Sequence, residues 1–139
     1  MILLDTNVVS EPLNKRPSRQ VIAWLRSQAP ETLFLSAISV GELRTGIALL
    51  PEGKRRNALH DELELGILPN FVGRILPFDL ECTPFPAAIM AQARRTGRAI
   101  AFADSYIAAI AARHRLAVAT RDAAPFPAAG AAVINPWLE

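Results

Sequence analysis

The chain has 139 residues, 51% of them hydrophobic, a formal net charge of +2 and a mean hydropathy of +0.22. This length suits one domain with a full core, so a single domain over residues 1–139 is expected. The only cysteine, Cys82, excludes an internal disulfide, and with two histidines it argues against a metal site built on Cys or His ligands. A cytoplasmic protein without a membrane segment is expected, because no leader-like segment is evident and Asp104 interrupts the most apolar stretch, 99–112.

Apolar runs and helical spacings alternate along the chain in an order typical of an α/β protein. Residues 2–4 are apolar and end in Asp5, Thr6 and Asn7, which predicts a strand followed by a turn or helix start. The remaining predicted elements, in chain order, are helix 21–29, strand 32–36, helices 39–50 and 54–68, strand 74–78, helices 84–93 and 101–114, and strands 116–120 and 132–134. This order predicts a mainly parallel central sheet.

Acidic residues that follow predicted buried strands are the main functional signal: Asp5, Glu42, Asp104 and Asp122. The carboxyl ends of parallel strands meet at one edge of a sheet, where ligands bind. Unpaired carboxylates within about 4 Å of each other repel by about 4 kcal/mol at an effective dielectric near 20, so a cluster of them requires a cation. Oxygen ligands of this kind select Mg²⁺ or Mn²⁺. The pattern therefore predicts a metal site that acts on phosphate.

Each acid also has a structural interpretation that the sequence leaves open. Asp5 is placed to cap the first helix. Ser39 and Glu42 match a capping box, in which Glu42 reaches back to the Ser39 amide. Asp104 fits the first turn of a helix, where a negative charge is favoured.

Asp122 belongs to the segment Thr120-Arg121-Asp122, which is also typical of a simple turn. We expect Thr120 and Arg121 to support the site. Arg121 is expected to neutralise the acidic cluster or to contact a phosphate.

Basic residues dominate the surface once the four site acids are set apart, because nine acids then remain against 15 Lys and Arg. The basic clusters are Lys15-Arg16 with Arg19, Lys54-Arg55-Arg56, Arg94-Arg95 with Arg98, and Arg113 with Arg115. Solvated helix faces explain any one cluster. Together, an acidic site with a basic rim favours a polyanion such as RNA, held by its backbone and cut at a metal.

Six segments resemble the PIN-domain endoribonucleases that are the toxins of VapBC-type toxin–antitoxin pairs, and in particular the FitB-like or plasmid-stability subgroup. In chain order they are MILLDTNVVSEP at 1–12, LSAISVGEL at 35–43, GRILPFD at 73–79, ADSYIAA at 103–109, ATRD at 119–122 and INPW at 134–137.

The resemblance implies a PIN-like three-layer α/β/α sandwich with a sheet of four to five strands. It implies that Asp5, Glu42 and Asp104 hold Mg²⁺ or Mn²⁺, with Asp122 as a fourth acid and Thr6 and Asn7 supporting the first. The implied activity is hydrolysis of RNA phosphodiesters. The implied partners are a second copy in a homodimer and a cognate antitoxin, which covers the active site and alone contacts operator DNA.

Two departures from the family pattern stand out. Many members have Asn at the position of Asp122 and an acid three residues later, where this chain has Pro125, so the fourth ligand is Asp122 or is missing. Pro84 and Pro86 predict a late start for the following helix.

Two other functional classes share features with this sequence. One is a catalytically degenerate PIN-like domain that binds a partner or nucleic acid. The other is a phosphotransfer domain, which is disfavoured because Asp5-Thr6-Asn7 lacks a second Asp and Asn135-Pro136 offers no Lys.

Overall fold

The strand Ile2–Leu4 (β1) lies at the centre of a five-stranded parallel sheet in the computed structural model, which describes residues 1–139. The other strands are Leu33–Ser36 (β2), Ile75–Leu76 (β3), Ala117–Ala119 (β4) and Val133–Ile134 (β5). Their order in the sheet is β3-β2-β1-β4-β5. All four pairings are parallel, and Leu3 stands between Phe34 and Val118.

α-Helices lie in the connections from β1 to β2, β2 to β3 and β3 to β4, as is usual for parallel pairing, and a 3₁₀ turn over Pro127–Ala129 lies between β4 and β5. The α-helices are Thr6–Ser10 (α1), Arg19–Ser27 (α2), Ala37–Ala48 (α3), Lys54–Asp61 (α4), Pro84–Arg95 (α5) and Phe102–His114 (α6). None of the helices is long and apolar enough to cross a membrane.

Two hydrophobic cores occupy opposite faces of the sheet, which makes a three-layer α/β/α arrangement. Adjacent strand residues point to opposite faces, so Leu3 packs with Ile107 and Ile110 of α6, whereas Leu4 packs with Val8 and Val40 on the other side. The first core holds α5 and α6, and the second holds α1 to α4. The predicted α/β class, parallel sheet and layer arrangement are confirmed.

The observed bounds of α3 and α4 differ from the predicted ones because of local features of the sequence. α3 begins at Ala37, two residues before the predicted start, because Ser36 caps it. The predicted helix 54–68 is divided into α4, a π-helical turn over Glu62–Ile67 and a 3₁₀ turn over Leu68–Phe71. Pro69 has no amide hydrogen, so a regular helix cannot continue through it. The predicted late start of α5 at Pro84 is confirmed.

The last helix brings its first turn to the carboxyl edge of the sheet. α6 passes directly into β4 through Arg115, which adopts the left-handed conformation with φ 54°. Because β4 is parallel to β1, α6 runs back across the sheet, and its start lies at the edge where β1 ends.

Candidate metal centre

Asp5 is held rigidly at the end of β1. It is only 5% exposed. Its Oδ1 accepts a hydrogen bond of 2.7 Å from the Thr6 amide, and its Oδ2 accepts from Asn7 Nδ2 at 2.9 Å and from Thr120 Oγ1 at 2.7 Å. The first bond is the expected helix cap of α1. The bond from Thr120 ties the carboxylate to a loop 115 residues away, so capping is only part of what Asp5 does.

Thr120 joins Asp5 to the loop that carries Asp122. Its buried hydroxyl donates to Asp5 and accepts from the Asp122 amide at 3.0 Å and from Asn7 Nδ2 at 3.2 Å. The Asn7 Oδ1 accepts from the Arg121 amide at 3.3 Å. Thr120 and Asn7 thus hold the loops after β1 and β4 in a fixed relation. The turn expected at Asp122 is present, and the Asp122 Oδ1 accepts from the Ala124 amide at 3.2 Å.

Glu42 is an exposed residue of α3 that faces Asp5's neighbour rather than its own helix start. Its Oε1 accepts from Thr6 Oγ1 at 2.7 Å. The predicted capping box is wrong: the Ser39 amide donates instead to Ser36 Oγ, at 2.9 Å. With the helix beginning at Ala37, Glu42 lies in its second turn and is free to point towards the sheet edge.

Asp104 lies in the first turn of α6 and makes no hydrogen bond that would fix its carboxylate. The prediction that it follows a strand is wrong, because the chain before α6 is the loop after α5. It reaches the sheet edge through the direction of α6 instead. Partial burial raises the pKa of Asp104, and the negative charges of Asp5, Glu42 and Asp122 raise it further. All four acids therefore share one electrostatic environment.

The same unfavourable field acts on Asp5. Burial raises the pKa of Asp5 and the charge of Asp122 adds to this, although hydrogen bonds from Thr120, Thr6 and Asn7 oppose it. In the side-chain arrangement seen, no three acidic groups come close enough to enclose an ion. Asp5 is fixed and buried, whereas Glu42 and Asp122 are exposed. The structure thus brings the acids to one edge without closing them into a cage.

Arg121 does not turn towards the acidic cluster. Its guanidinium lies 4.2 Å from the centre of the Trp137 ring and 3.7 Å from Glu11 Oε2. Glu11 was missed by sequence reasoning, although it is only 4% exposed and accepts from the Ser18 amide at 2.6 Å and from Asn14 Nδ2 at 3.0 Å. Its one signal was an acid directly before Pro12 at the end of an apolar segment. Arg121 therefore does not neutralise the acidic cluster.

The chain matches known proteins over nearly its whole length. The PIN domain family matches residues 2–131. Toxin FitB of Neisseria gonorrhoeae is 56% identical over 137 residues, which cover 99% of each chain. The plasmid stability protein StbB of Pseudomonas syringae is 53% identical with the same coverage, and VapC ribonuclease Y4jK of Sinorhizobium fredii is 53% identical over 99% of this chain and 98% of its own.

A solved structure shows the same fold. The structure of FitAB bound to an IR36 DNA fragment aligns with a TM-score of 0.92 and 54% identity, covering 99% of this chain and 96% of the matched one. The family match over residues 2–131 and the 53–56% identity to these relatives show that the chain belongs to the PIN-domain family.

Proposed function

We propose that this protein is a metal-dependent endoribonuclease and the toxin of a type II toxin–antitoxin module. The observation that carries the proposal is the gathering of Asp5, Glu42, Asp104 and Asp122 at one sheet edge, where partial burial and the charges of the other three acids raise the pKa of Asp104. The likeness to a protein named VapC ribonuclease supports the same activity.

The donor set suits a hard divalent cation, because it consists of carboxylate oxygens alone. Asp5, Glu42, Asp104 and Asp122 would hold Mg²⁺ or Mn²⁺, with the exposed Glu42 and Asp122 carboxylates drawn towards the fixed Asp5. A bound ion would supply Lewis-acid activation of water and stabilise the charge that develops on the phosphate. Thr6, Asn7 and Thr120 orient the acids through the hydrogen bonds described above, and Arg121 positions the Asp122 loop.

The toxin role rests on the likeness to Toxin FitB and to the FitAB structure with DNA. The proposal includes a cognate antitoxin, operator DNA bound only through that antitoxin, and a homodimer. Leu49, Val72 and Leu80 are more than 80% exposed and offer apolar surface for such contacts. One domain over residues 1–139, acting on RNA in the cytoplasm, belongs to the same proposal.

The decisive experiment measures cleavage of a panel of tRNA and structured RNA with Mg²⁺, Mn²⁺ or EDTA, for the wild type, Asp5→Asn and Asp104→Asn. Asp104→Asn is the sharper variant, because no hydrogen bond holds the Asp104 carboxylate. In Asp5→Asn the new amide would face the two donors that now point at Oδ2. Asp61→Asn is the matched control, since Asp61 is an exposed acid outside the cluster.

Cleavage that requires the ion and both aspartates, and that survives in Asp61→Asn, is expected. Undiminished cleavage by Asp104→Asn would refute the site. Absence of cleavage together with a melting temperature unchanged by Mn²⁺ would favour the degenerate, partner-binding alternative.

The toxin role has its own test. Induced expression of the wild type should arrest growth of a bacterial host, and Asp104→Asn should not. Coexpression of a small protein encoded beside this one should restore growth. High-yield recovery of active wild-type protein from cells without such a partner would contradict the proposal.

A further inference from the structure

An exposed aromatic residue stands beside the candidate metal centre. Phe102 is the first residue of α6 and is 67% exposed, and Asp104 follows it in the same helical turn. Its ring centre is 6.4 Å from that of Tyr106, which in turn is 4.7 Å from that of Phe78. Tyr106 and Phe78 are both half-buried, and Phe78 packs against the hydrophobic core on this face of the sheet, so the row supports Phe102 from the core side.

The row lines a groove between α5 and α6. One part, of about 330 Å³, is formed by Phe78, Met90, Phe102 and Tyr106 among others. A second part continues past Phe102 and Met90 to the exposed Arg94 and Arg95 at the end of α5. The groove is thus apolar and aromatic at the end near Asp104 and positively charged at the other.

This combination matches one chemical class of ligand. Proteins bind single-stranded nucleic acid by stacking bases on aromatic rings and by holding phosphates with Arg or Lys. An apolar side chain of a protein would use the rings but not the paired arginines. A continuous duplex would keep its bases stacked on one another and unavailable to Phe102.

We propose that Phe102 stacks on an unpaired RNA base next to the nucleotide bound at the acidic site, while Arg94 and Arg95 hold a neighbouring phosphate. Residues two apart on a helix point to different sides, so the base on Phe102 belongs to a flanking nucleotide and not to the one that reacts. This inference rests on the proposed ribonuclease function and adds to it a requirement for unpaired RNA.

Binding of a fluorescent single-stranded RNA hexanucleotide tests the inference, measured in EDTA with Asp104→Asn as the parent protein to prevent cleavage. A second hexanucleotide keeps the phosphates but has abasic riboses. Added to the parent, Phe102→Ala should weaken binding of the normal strand about fivefold or more and leave binding of the abasic strand unchanged. Leu65→Ala is the matched control, since Leu65 is an equally exposed apolar residue (74%) outside the groove.

A second variant reports stacking directly. Phe102→Trp should retain the affinity, and its added fluorescence, measured over the background of Trp24 and Trp137, should be quenched by the normal strand only. Equal affinities for the normal and abasic strands, or equal effects of Phe102→Ala and Leu65→Ala, would overturn the inference. A change of oligomeric state in Phe102→Ala would also overturn it, because the groove would then be covered by a second copy.

The two proposals fail separately. Ion-dependent cleavage by the wild type without base-dependent binding would leave the ribonuclease standing and remove the role of Phe102. Base-dependent binding without any cleavage would support the role of Phe102 and remove the proposed ribonuclease activity.

Discussion

At the scale of single residues, hydrogen bonds stabilise the acidic site and repulsion between its carboxylates destabilises it. Asp5 has three donors that stabilise its charged form, whereas Asp104 has none. Burial and the other acids make ionised Asp104 unfavourable in the folded protein. Asp104 is therefore the residue at which stability and the proposed activity are most clearly opposed.

Asp104→Asn should make the protein more stable at pH 7 in EDTA. The pKa of Asp104 is raised above its value in the unfolded chain, so its effect on folding is most favourable at low pH and worsens as the pH rises through the folded pKa. The amide removes that penalty. Thermal unfolding at pH 7 and at about pH 3 should show the gain shrinking at the lower pH, where wild-type Asp104 is protonated.

Mn²⁺ should reverse this order, because a ligand that binds only the folded state raises the melting temperature. The wild type should gain stability on titration with Mn²⁺ and Asp104→Asn should gain little. An Asp104→Asn protein that is less stable than the wild type at pH 7 in EDTA would contradict the charge argument.

Thr120→Val should destabilise the protein by about 1–3 kcal/mol, since it leaves Asp5 Oδ2 and the Asp122 amide without the hydroxyl that bonds to both. Unfolding in urea measures the effect. Thr120→Ser keeps the hydroxyl and should lie much closer to the wild type. If Thr120→Val were as stable as Thr120→Ser, the hydroxyl would add little to stability and the hydrogen-bond network would not be what holds the two loops together.

At the scale of elements, the start of α3 decides where Glu42 points. The sequence offers two serines, Ser36 and Ser39, that are suited to capping. Ser36 is the cap, and Ser39 is buried and donates its amide to it. This choice leaves Glu42 free of its own helix terminus and available to Thr6.

Ser36→Ala should cost about 1 kcal/mol of folding stability, because it removes the cap of α3. Glu42→Gln should change stability by less than about 0.5 kcal/mol, since a Gln oxygen can still accept from Thr6 Oγ1. Chemical denaturation of both variants, with RNA cleavage measured in parallel, should separate a folding role from a site role. A Ser36→Ala protein as stable as the wild type would contradict the assignment of Ser36 as the cap of α3.

Element type and order followed from apolar periodicity, because a strand or helix that buries one face must show that period. The predictions that were wrong concern local features such as the cap of a helix. Ser36 and Ser39 satisfy the same capping preference, and only packing selects between them. Asp104 was assigned to the right edge for the wrong reason, since the direction of α6 is a property of the whole topology and is not written in the residues around it. Arg121 does not make the neutralising contact, because its guanidinium lies on Trp137 and near Glu11, which are distant in sequence, and its contact with a phosphate stays a prediction.

At the scale of the whole molecule, folding joins basic clusters that are separate in sequence. Lys15 lies beside Lys54 and Arg55 in one groove between the segment after α1 and helix α4. Arg44, by contrast, is already paired with Glu64, with Nε to Oε1 at 2.7 Å. The fold therefore distinguishes cations that are available to a polyanion from those that are engaged.

Replacing Lys54 and Arg55 by Gln should weaken RNA binding and make its dependence on KCl shallower by about 1.5 in log–log slope, because fewer counterions are released. Arg44→Gln is the control and should leave the slope unchanged. Binding to the Asp104→Asn protein, measured between low and physiological salt, checks both. Equal slopes for all three proteins would show that this groove does not follow the RNA backbone.

The central position of β1 in the sheet determines when, during synthesis of the chain, the acidic site can assemble. Asp5 leaves the ribosome well before its partner Thr120, which is 115 residues further along the chain, and β4 is made after β1, β2 and β3. The sheet cannot close around β1 until then, and long-range pairing of this kind is slow. A nascent chain therefore carries the acidic residues made so far, but not the assembled site. The toxin proposed here would be inactive until β4 has been made, which leaves time for an inhibitor encoded by a neighbouring gene to be synthesised first.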